Sequence, residues 1–144
     1  MHFYLRHYEN ERAWAKVDGL WQATDDICAD IMDDEARWHS FRLLPGFRCD
    51  GGSVPKAFQW FVPSWSDDNP VINLAYALHD ASYASECLSR EHADDLLRGL
   101  LRDAGLNRLR ASTVCFAVNK FASKHYGKEN DNFGCAPFVK YVRW

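Results

Sequence analysis

The sequence contains no run of about 18 apolar residues, so no segment has the length that a membrane-spanning helix requires. Its five cysteines include no Cys-x-x-Cys pair, which argues against a zinc ribbon or a redox motif. Charge of neither sign is in large excess, since 17 basic and 20 acidic residues give a formal net charge of −3. A protein that binds nucleic acid through a basic face is therefore not expected.

No internal repeat, low-complexity tract or linker divides the 144 residues, a length typical of one domain. The segment from Met1 to Asn10 becomes charged before an apolar stretch can form, so it does not have the pattern of a secretory signal peptide. We therefore expect a single domain, residues 1–144, made in the cytoplasm with its cysteines reduced.

Aromatic residues are abundant, at 15% of the chain with six tryptophans. In a domain of this size, such a number predicts either some rings at a surface or interface, or an aromatic-rich core.

Hydrophobic periodicity divides the chain into four parts. Residues 1–47 hold short alternating stretches separated by turn signals, which predict a small antiparallel meander. Residues 48–69 are rich in glycine, proline and aromatic residues and predict loops. Residues 70–127 predict three helices, and residues 128–144 form a tail whose end predicts an edge strand. The expected fold is α+β, with the N-terminal meander packed on three C-terminal helices.

The helices have clear start signals. Asn69 can cap the first helix, with Pro70 at its first position, and this helix is expected to run to about Cys87. Ser89 and Asn107 can cap the second and third helices. The second helix has the spacing of a core-facing stripe at Ala93, Leu96, Leu97, Leu100, Leu101 and Ala104.

The densest polar cluster among these apolar helices lies between Leu78 and Tyr83. His79 and Tyr83 share one helix face, and Asp80 lies about 100° further round. The short loop after the first helix makes the second fold back antiparallel, which brings Asp94 within reach of His79. A histidine held by a carboxylate is arranged to take a proton from water, and the adjacent Asp80 is free to hold a divalent cation.

A glycine loop beginning at Asp50 can supply a carboxylate and unhindered backbone carbonyls, which are ligands that a hard cation such as calcium prefers. Trp60, Phe61 and Trp65 lie between this loop and the helix that carries His79. We expect these rings to line the site, as substrate-binding residues, or a docking surface beside it. The same polar groups can instead satisfy one another in a packed core, and both interpretations stay open.

Other polar residues give weaker signals. A serine nucleophile is not expected, because Ser53 lacks the Gly-x-Ser-x-Gly pattern. His92, at the start of the second helix, is expected to be solvated. The remaining histidines are isolated in sequence and are expected at the surface or in the core without a functional role: His2, His7, His39 and His125.

Three motifs follow one another along the chain: Pro45-Gly-Phe-x-x-Asp50-x-x-Ser53-x-Pro55, Leu78-His79-Asp80-x-x-Tyr83 and Ser89-Arg90-x-x-Ala93-Asp94. In this order and spacing they resemble an uncharacterised family, domain of unknown function 1353, which is common in tailed bacteriophages and prophages. The resemblance covers residues 20–127. It implies a phage gene product but names no reaction.

The run His79-Asp80-x-x-Tyr83, followed by an aspartate on a partner helix, is also similar to the secreted and parvoviral phospholipases A2. This resemblance implies that His79 activates the attacking water, that Asp94 orients it, that Asp80 binds calcium and that Tyr83 is the accompanying tyrosine. The glycine loop differs, because Gly52 lies about 27 residues before the histidine and not close to it. The cysteines that flank the motif in that family are missing, so we interpret the similarity as convergence.

Two functions are compatible with these patterns. In the first, the protein is a bacteriophage accessory or virion protein that contacts other virion proteins or a host protein, and its Asp/His/Asp cluster is structural. In the second, it is a metal-assisted hydrolase of phospholipid or cell-wall material, with a His79–Asp94 dyad and with Asp80 and Asp50 at a divalent cation. The first is preferred because the family resemblance carries no known chemistry, and it places the protein in the host cytoplasm or in the virion.

Overall fold

The computed structural model describes residues 1–51, 65–122, Tyr126 and 134–144. Within these residues the strands are β1 (Phe3–Glu9), β2 (Trp14–Val17), β3 (Leu20–Ala23), β4 (Ile27–Asp33), β5 (Trp38–Leu43), β6 (Arg48–Cys49) and β7 (Val139–Arg143). The helices are α1 (Pro70–Ser85), α2 (Arg90–Asp103) and α3 (Arg108–Ala122), with a short 3₁₀ helix at Ala136–Phe138. Strands come first and helices follow, so the predicted α+β layout is confirmed.

The strands form two antiparallel sheets where one meander was predicted. Their orders are β1-β4-β5-β7 and β2-β3-β6. Because β1 pairs directly with β4, the β2–β3 hairpin between them in sequence is excluded from the first sheet. The hairpin pairs with β6 instead, through Trp21 and Gln22, so Arg48 and Cys49 form a short strand where a loop was expected. The predicted return of the tail is confirmed, since β7 pairs with β5 at the edge of the first sheet.

Alternate residues of β4 and β5 point into the core, as period-two patterning requires. Most of these inward positions are apolar, for example Ile31 and Phe41, which are almost fully buried. The series ends on polar residues, because Asp33 and His39 occupy inward positions at one end of the sheet. Two buried polar groups are therefore placed side by side by the sheet itself.

The helix starts follow the predictions with one correction. The Ser89 hydroxyl accepts a hydrogen bond from the His92 backbone N–H, and Asn107 accepts one from Arg110, so both caps are present. Asn69 does not cap α1 with its side chain, because its amide donates to the carbonyl of Ala104 at 2.9 Å. That bond fastens the start of α1 to the end of α2.

Helix α1 ends at Ser85, two residues before the predicted boundary, because Glu86 adopts a left-handed conformation with φ of 55°. The early stop leaves residues 86–89 to reverse the chain into α2. The predicted stripe of α2 is confirmed except at its last member, since Ala104 is only partly buried.

Helix α2 packs closely on β1. A Cβ atom at Gly99 would lie 2.4 Å from the carbonyl oxygen of Phe3, so only glycine allows this approach. The carboxylate of Asp103 then accepts the backbone N–H of Leu5 at 2.7 Å. The helices are thus joined to the first sheet through α2. This contact fixes the position of the α1–α2 pair, which carries the site. None of the helices in the described part of the chain is long and apolar enough to cross a membrane.

Candidate functional site

His79 on α1 and Asp94 on α2 meet where the two helices pack antiparallel. The Nε2 atom of His79 lies 2.8 Å from Oδ1 of Asp94, and the two residues are 4% and 9% exposed. The predicted contact is therefore confirmed, and it arises because residues 86–89 return the chain directly onto α1. The catalytic roles of both residues stay predictions.

The Asp94 carboxylate of α2 accepts hydrogen bonds from both of the other helices and so links all three. The Tyr83 hydroxyl donates to Oδ1 at 2.9 Å, and the Asn119 amide of α3 donates to Oδ2 at 2.8 Å. Burial alone would raise the pKa of Asp94, but the hydrogen bonds from His79, Asn119 and Tyr83 hold it below the usual range. Asn119 was not predicted as part of the site, because nothing in the α3 sequence shows that this position faces Asp94.

The hydrogen bond to Asp94 also orients the imidazole. An ionised carboxylate only accepts hydrogen bonds, so Nε2 of His79 carries the hydrogen and Nδ1 is the basic nitrogen. Nδ1 faces Oδ1 of Asp80 at 3.9 Å, which is longer than a hydrogen bond. Burial alone would lower the pKa of His79, but the carboxylates of Asp80 and Asp94 raise it. The structure therefore presents an imidazole whose pKa is raised by the two carboxylates on either side of it.

Asp80 is the least satisfied group of the cluster. Its Oδ2 atom is buried and has no hydrogen-bond partner among the described residues. Burial and the negative charge of Asp50 raise the pKa of Asp80 to about 6. Asp50 follows β6, and the backbone turns sharply there because Gly51 has a φ of 80°. Asp50 and Asp80 therefore lie close enough for their charges to repel each other and for the Asp50 backbone to hydrogen-bond Asp80.

Asp50 and Asp80 are the residues that can hold a cation here. In residues 1–51, 65–122 and 134–144, no group of three or more histidine, cysteine, aspartate or glutamate side chains is placed to bind a metal ion. Two carboxylates would therefore need backbone carbonyls or water to complete the six to eight oxygen ligands that calcium takes. The calcium site stays a prediction on this evidence.

The model of one protein family, described as protein of unknown function (DUF1353), matches residues 21–118. The chain belongs to the DUF1353 family. The match includes the aspartates, histidine and tyrosine of the cluster on β6, α1 and α2, and it ends just before Asn119. Neither a curated protein nor a solved structure matches the chain.

One of the three aromatic residues expected to line this site in the DUF1353 chain can be located. Trp60 and Phe61 lie outside the described residues. Trp65 stacks on Trp21 with ring centroids 4.8 Å apart, and a Cβ atom at Gly51 would lie 3.3 Å from it. Trp65 therefore packs on the β2–β3 hairpin beside the glycine loop, and its role in substrate binding stays a prediction.

The DUF1353 chain contains a second buried histidine–aspartate pair, which sequence reasoning missed. The Nε2 atom of His39 lies 2.8 Å from Oδ2 of Asp33, and its Nδ1 atom lies 2.6 Å from the Tyr141 hydroxyl. His39 was expected to have no functional role, and Tyr141 lies 102 residues further along the chain. A signal was available, because Asp33 and His39 occupy inward positions of two strands whose other inward residues are apolar.

Proposed function

We propose that this DUF1353 protein is a metal-assisted hydrolase. His79 takes the proton from the attacking water, Asp94 orients His79, and Asp80 with Asp50 binds a divalent cation. The observation that carries the proposal is the buried Oδ2 atom of Asp80, which has no hydrogen-bond partner among the described residues. The negative charge of Asp50 also repels this carboxylate. Such a group destabilises the folded protein unless a ligand satisfies it. A cation is the ligand that would relieve both the repulsion and the missing contact.

Cation binding and base catalysis support each other at this site. The negative charge of Asp80 raises the pKa of His79, which favours the protonated imidazole. Neutralising that charge removes one cause of the raised pKa and so favours the unprotonated Nδ1 of His79, which can accept a proton from water. Asp94 stabilises the imidazolium that results, and His79 then returns the proton to the leaving group. The bound cation would polarise the bond that is cleaved.

The similarity of the His79–Asp80–Tyr83 run to phospholipases A2 supports a phospholipid ester as the substrate, with cell-wall material as the alternative. We expect calcium-dependent release of free fatty acid from phosphatidylglycerol vesicles, abolished by EDTA. Purified peptidoglycan tests the alternative substrate, and release of soluble fragments is the measured product. An absence of product from both substrates, with calcium bound to the protein, would show that the cluster is not a hydrolase of either kind.

Replacing Asp80 by asparagine should stabilise the protein and weaken calcium binding. At about pH 7 we expect the free energy of unfolding to rise by roughly 1–3 kcal/mol, because the folded protein has to bury an ionised carboxylate whose pKa is raised to about 6. The gain should shrink as the pH falls from about 6 to about 4, where Asp80 becomes protonated in both states. Urea denaturation across this pH range and calorimetric calcium titration measure the two effects.

The matched control for this variant is Asp68→Asn, an exposed aspartate just before α1. It should change the free energy of unfolding by less than about 0.5 kcal/mol. We expect at least a 10-fold loss of calcium affinity in Asp80→Asn and none in Asp68→Asn. If Asp80→Asn destabilises the fold and binds calcium as the parent does, the carboxylate is structural and the cation site is wrong.

A surface of α3 favours a second function. Leu109 and Phe116 are 69% and 67% exposed, and a spacing of seven places them on the same helix face. We propose that this face contacts another virion protein or a host protein, in line with the bacteriophage association that the family resemblance implies. Such contacts do not use the His79 cluster, so the two functions are compatible.

The double variant Leu109→Asp with Phe116→Asp should lose association with a virion partner. We expect the parent chain to co-sediment with virions of a phage that encodes it, and the double variant to do so at least about 10-fold less. Circular dichroism and the Tm should be unchanged, since both side chains are exposed. Arg102→Asp, on the exposed side of α2, is the control. Equal co-sedimentation of the parent and the double variant would contradict the proposal.

A further inference from the structure

A cavity of about 490 Å³ lies between one end of the four-stranded sheet and the connection from α1 to α2. It does not include His79, Asp94 or Asp80, so it is distinct from the cluster proposed to be catalytic. Its volume falls within the range of pockets that bind small molecules. The lining residues used in the argument are Asp33, Arg37, His39, His92, Tyr141 and Arg143.

Asp33, His39 and Tyr141 form a buried hydrogen-bonded relay in the wall of this cavity. The Asp33 carboxylate, 3% exposed, accepts hydrogen bonds from the Arg37 guanidinium, from the backbone N–H groups of Glu35 and Arg37, and from Nε2 of His39. Burial alone would raise the pKa of Asp33, but the bonds from His39 and Arg37 hold it well below the usual range. Asp33 is therefore ionised, and Nε2 of His39 carries its hydrogen in every protonation state.

The state of His39 decides what Tyr141 presents to the cavity. When His39 is neutral, its Nδ1 atom accepts the Tyr141 O–H, and the phenol offers only lone pairs to a ligand. When His39 is protonated, Nδ1–H donates to the Tyr141 oxygen, and the hydroxyl hydrogen is free to point elsewhere. The cavity therefore gains a hydrogen-bond donor only when the relay takes up a proton.

The charged groups around the cavity favour an anion. Arg37 and Arg143 contribute two guanidinium groups against the single carboxylate of Asp33. Glu35 occupies one side of Arg37 at 3.0 Å, outside the cavity lining. The backbone of Arg143 pairs with His39 in the sheet, but its side chain has no hydrogen-bond or ion-pair partner among the described residues, so the guanidinium donors are available to a ligand. Guanidinium groups match the oxygens of phosphate in geometry as well as in charge.

We propose that this cavity binds a small phosphate monoester, with Arg143 and Tyr141 as donors to the phosphate, and that binding protonates His39. The bound anion favours the state in which the Tyr141 hydroxyl donates to the anion. In that state His39 is protonated, and its two N–H groups donate to Asp33 and to the Tyr141 oxygen. The organic part of the ligand lies against Phe3, whose ring packs edge-on against His39 at 5.4 Å. A monoester is favoured over the free ion because the cavity is larger than a phosphate group and has an apolar wall.

The titratable groups that face His39 come from every element around it. They are Asp33, Arg37, Tyr141, Arg143, Cys87, His92 and the amino group of Met1, which pairs with Asp95. Burial raises the pKa of Cys87, so its thiol stays neutral. His92 is exposed on α2 and can also take up a proton near a bound anion. A test has to separate His92 from the relay.

Calorimetry in buffers of different ionisation enthalpy counts the protons taken up on binding. Inorganic sulfate is the probe for this count, because its charge is constant near neutral pH. We expect Tyr141→Phe to weaken sulfate binding about 10-fold and to abolish proton uptake, because the relay no longer has a hydroxyl to reorient. Arg143→Gln should weaken binding by a similar factor and keep the uptake. His92→Gln should keep the uptake, and Arg6→Gln, exposed on β1, should change neither property.

Phenyl phosphate compared with inorganic phosphate tests the ligand class, and we expect the ester to bind at least 10-fold more tightly. Proton uptake that is lost in His92→Gln but retained in Tyr141→Phe would overturn the relay. Equal affinity for phenyl phosphate and inorganic phosphate would overturn the monoester, and an absence of binding by all three probes would overturn the site. The melting temperature of each variant is measured first, so that unfolding is not mistaken for lost affinity.

Discussion

Replacing His79 by glutamine is expected to lower the rate of calcium-dependent fatty-acid release by about 100- to 10,000-fold. The glutamine amide can donate to Asp94, as Nε2–H of His79 does, but it places no base where Nδ1 stands. Glutamine is chosen over alanine because His79 is buried, and alanine would leave the Asp94 carboxylate without one of its donors. Initial rates on phosphatidylglycerol vesicles, with the Tm of each variant, are the measurements.

His7→Gln is the matched control for this prediction, since His7 lies on β1 and is exposed, and its side chain hydrogen-bonds only Glu9 among the described residues. It should keep the full rate. If His79→Gln is folded and hydrolyses the vesicles as fast as the parent, His79 is not the base. If no preparation hydrolyses them but calcium binds through Asp80, the substrate class is wrong while the cation site stands.

Replacing Asp94 by alanine is expected to cost about 3–5 kcal/mol of unfolding free energy. The variant removes one carboxylate that accepts from His79, Tyr83 and Asn119, and it leaves the buried donors of His79 and Tyr83 unpaired. Three helices converge on this side chain, so the loss affects the whole helical layer. Urea denaturation followed by far-ultraviolet circular dichroism measures the change.

The cost of Asp94→Ala should depend on pH in a defined direction. Folding lowers the pKa of Asp94, so its stabilisation is complete above the ordinary carboxyl range and is lost as the pH falls through the lowered value. Folding raises the pKa of His79, so its stabilisation is complete below the ordinary histidine value and is lost as the pH rises through the raised one. The difference between parent and variant should therefore be largest between about pH 4 and pH 6.5.

Asp95→Ala is the control, because Asp95 is the next residue on α2 and its carboxylate pairs with Arg98 near the surface. We expect it to cost less than about 1 kcal/mol at any pH in this range. If Asp94→Ala costs no more than Asp95→Ala, the cluster does not hold the helices together. The bonds to Asp94 would then serve only to position His79.

The parts of the fold that depend on local patterning were predictable. The stripe of α2 follows from spacing, and the caps at Ser89 and Asn107 follow from residue type, because each depends on residues within a few positions. The contact between His79 and Asp94 was also predictable, because a connection of a few residues requires two consecutive helices to pack antiparallel and side by side. Three local details were wrong: the end of α1, which depends on the backbone torsion of Glu86, the side-chain cap at Asn69 and the buried position of Ala104.

The pairing of strands was not predictable in the same way. Nothing local shows that β1 skips the β2–β3 hairpin and pairs with β4, because that choice depends on which strands bury most surface together. The same pairing brings Tyr141 onto Phe41 and beside His39, about 100 residues earlier in the chain. The relay of Asp33, His39 and Tyr141 is therefore a product of sheet order and is invisible to motif spacing.

By itself, the sequence determined the α+β class, the helix faces and the family, and it placed His79, Asp80 and Asp94 at one helix pair. Only the tertiary structure decided that Asn119 completes the Asp94 network, that an oxygen of Asp80 is buried without a partner, and that a second histidine lines a cationic cavity. The physical reason is the distance along the chain over which each property is determined. Side-chain direction within a helix or strand repeats every few residues, whereas burial, charge and hydrogen bonding at a site are set by elements that meet only after folding.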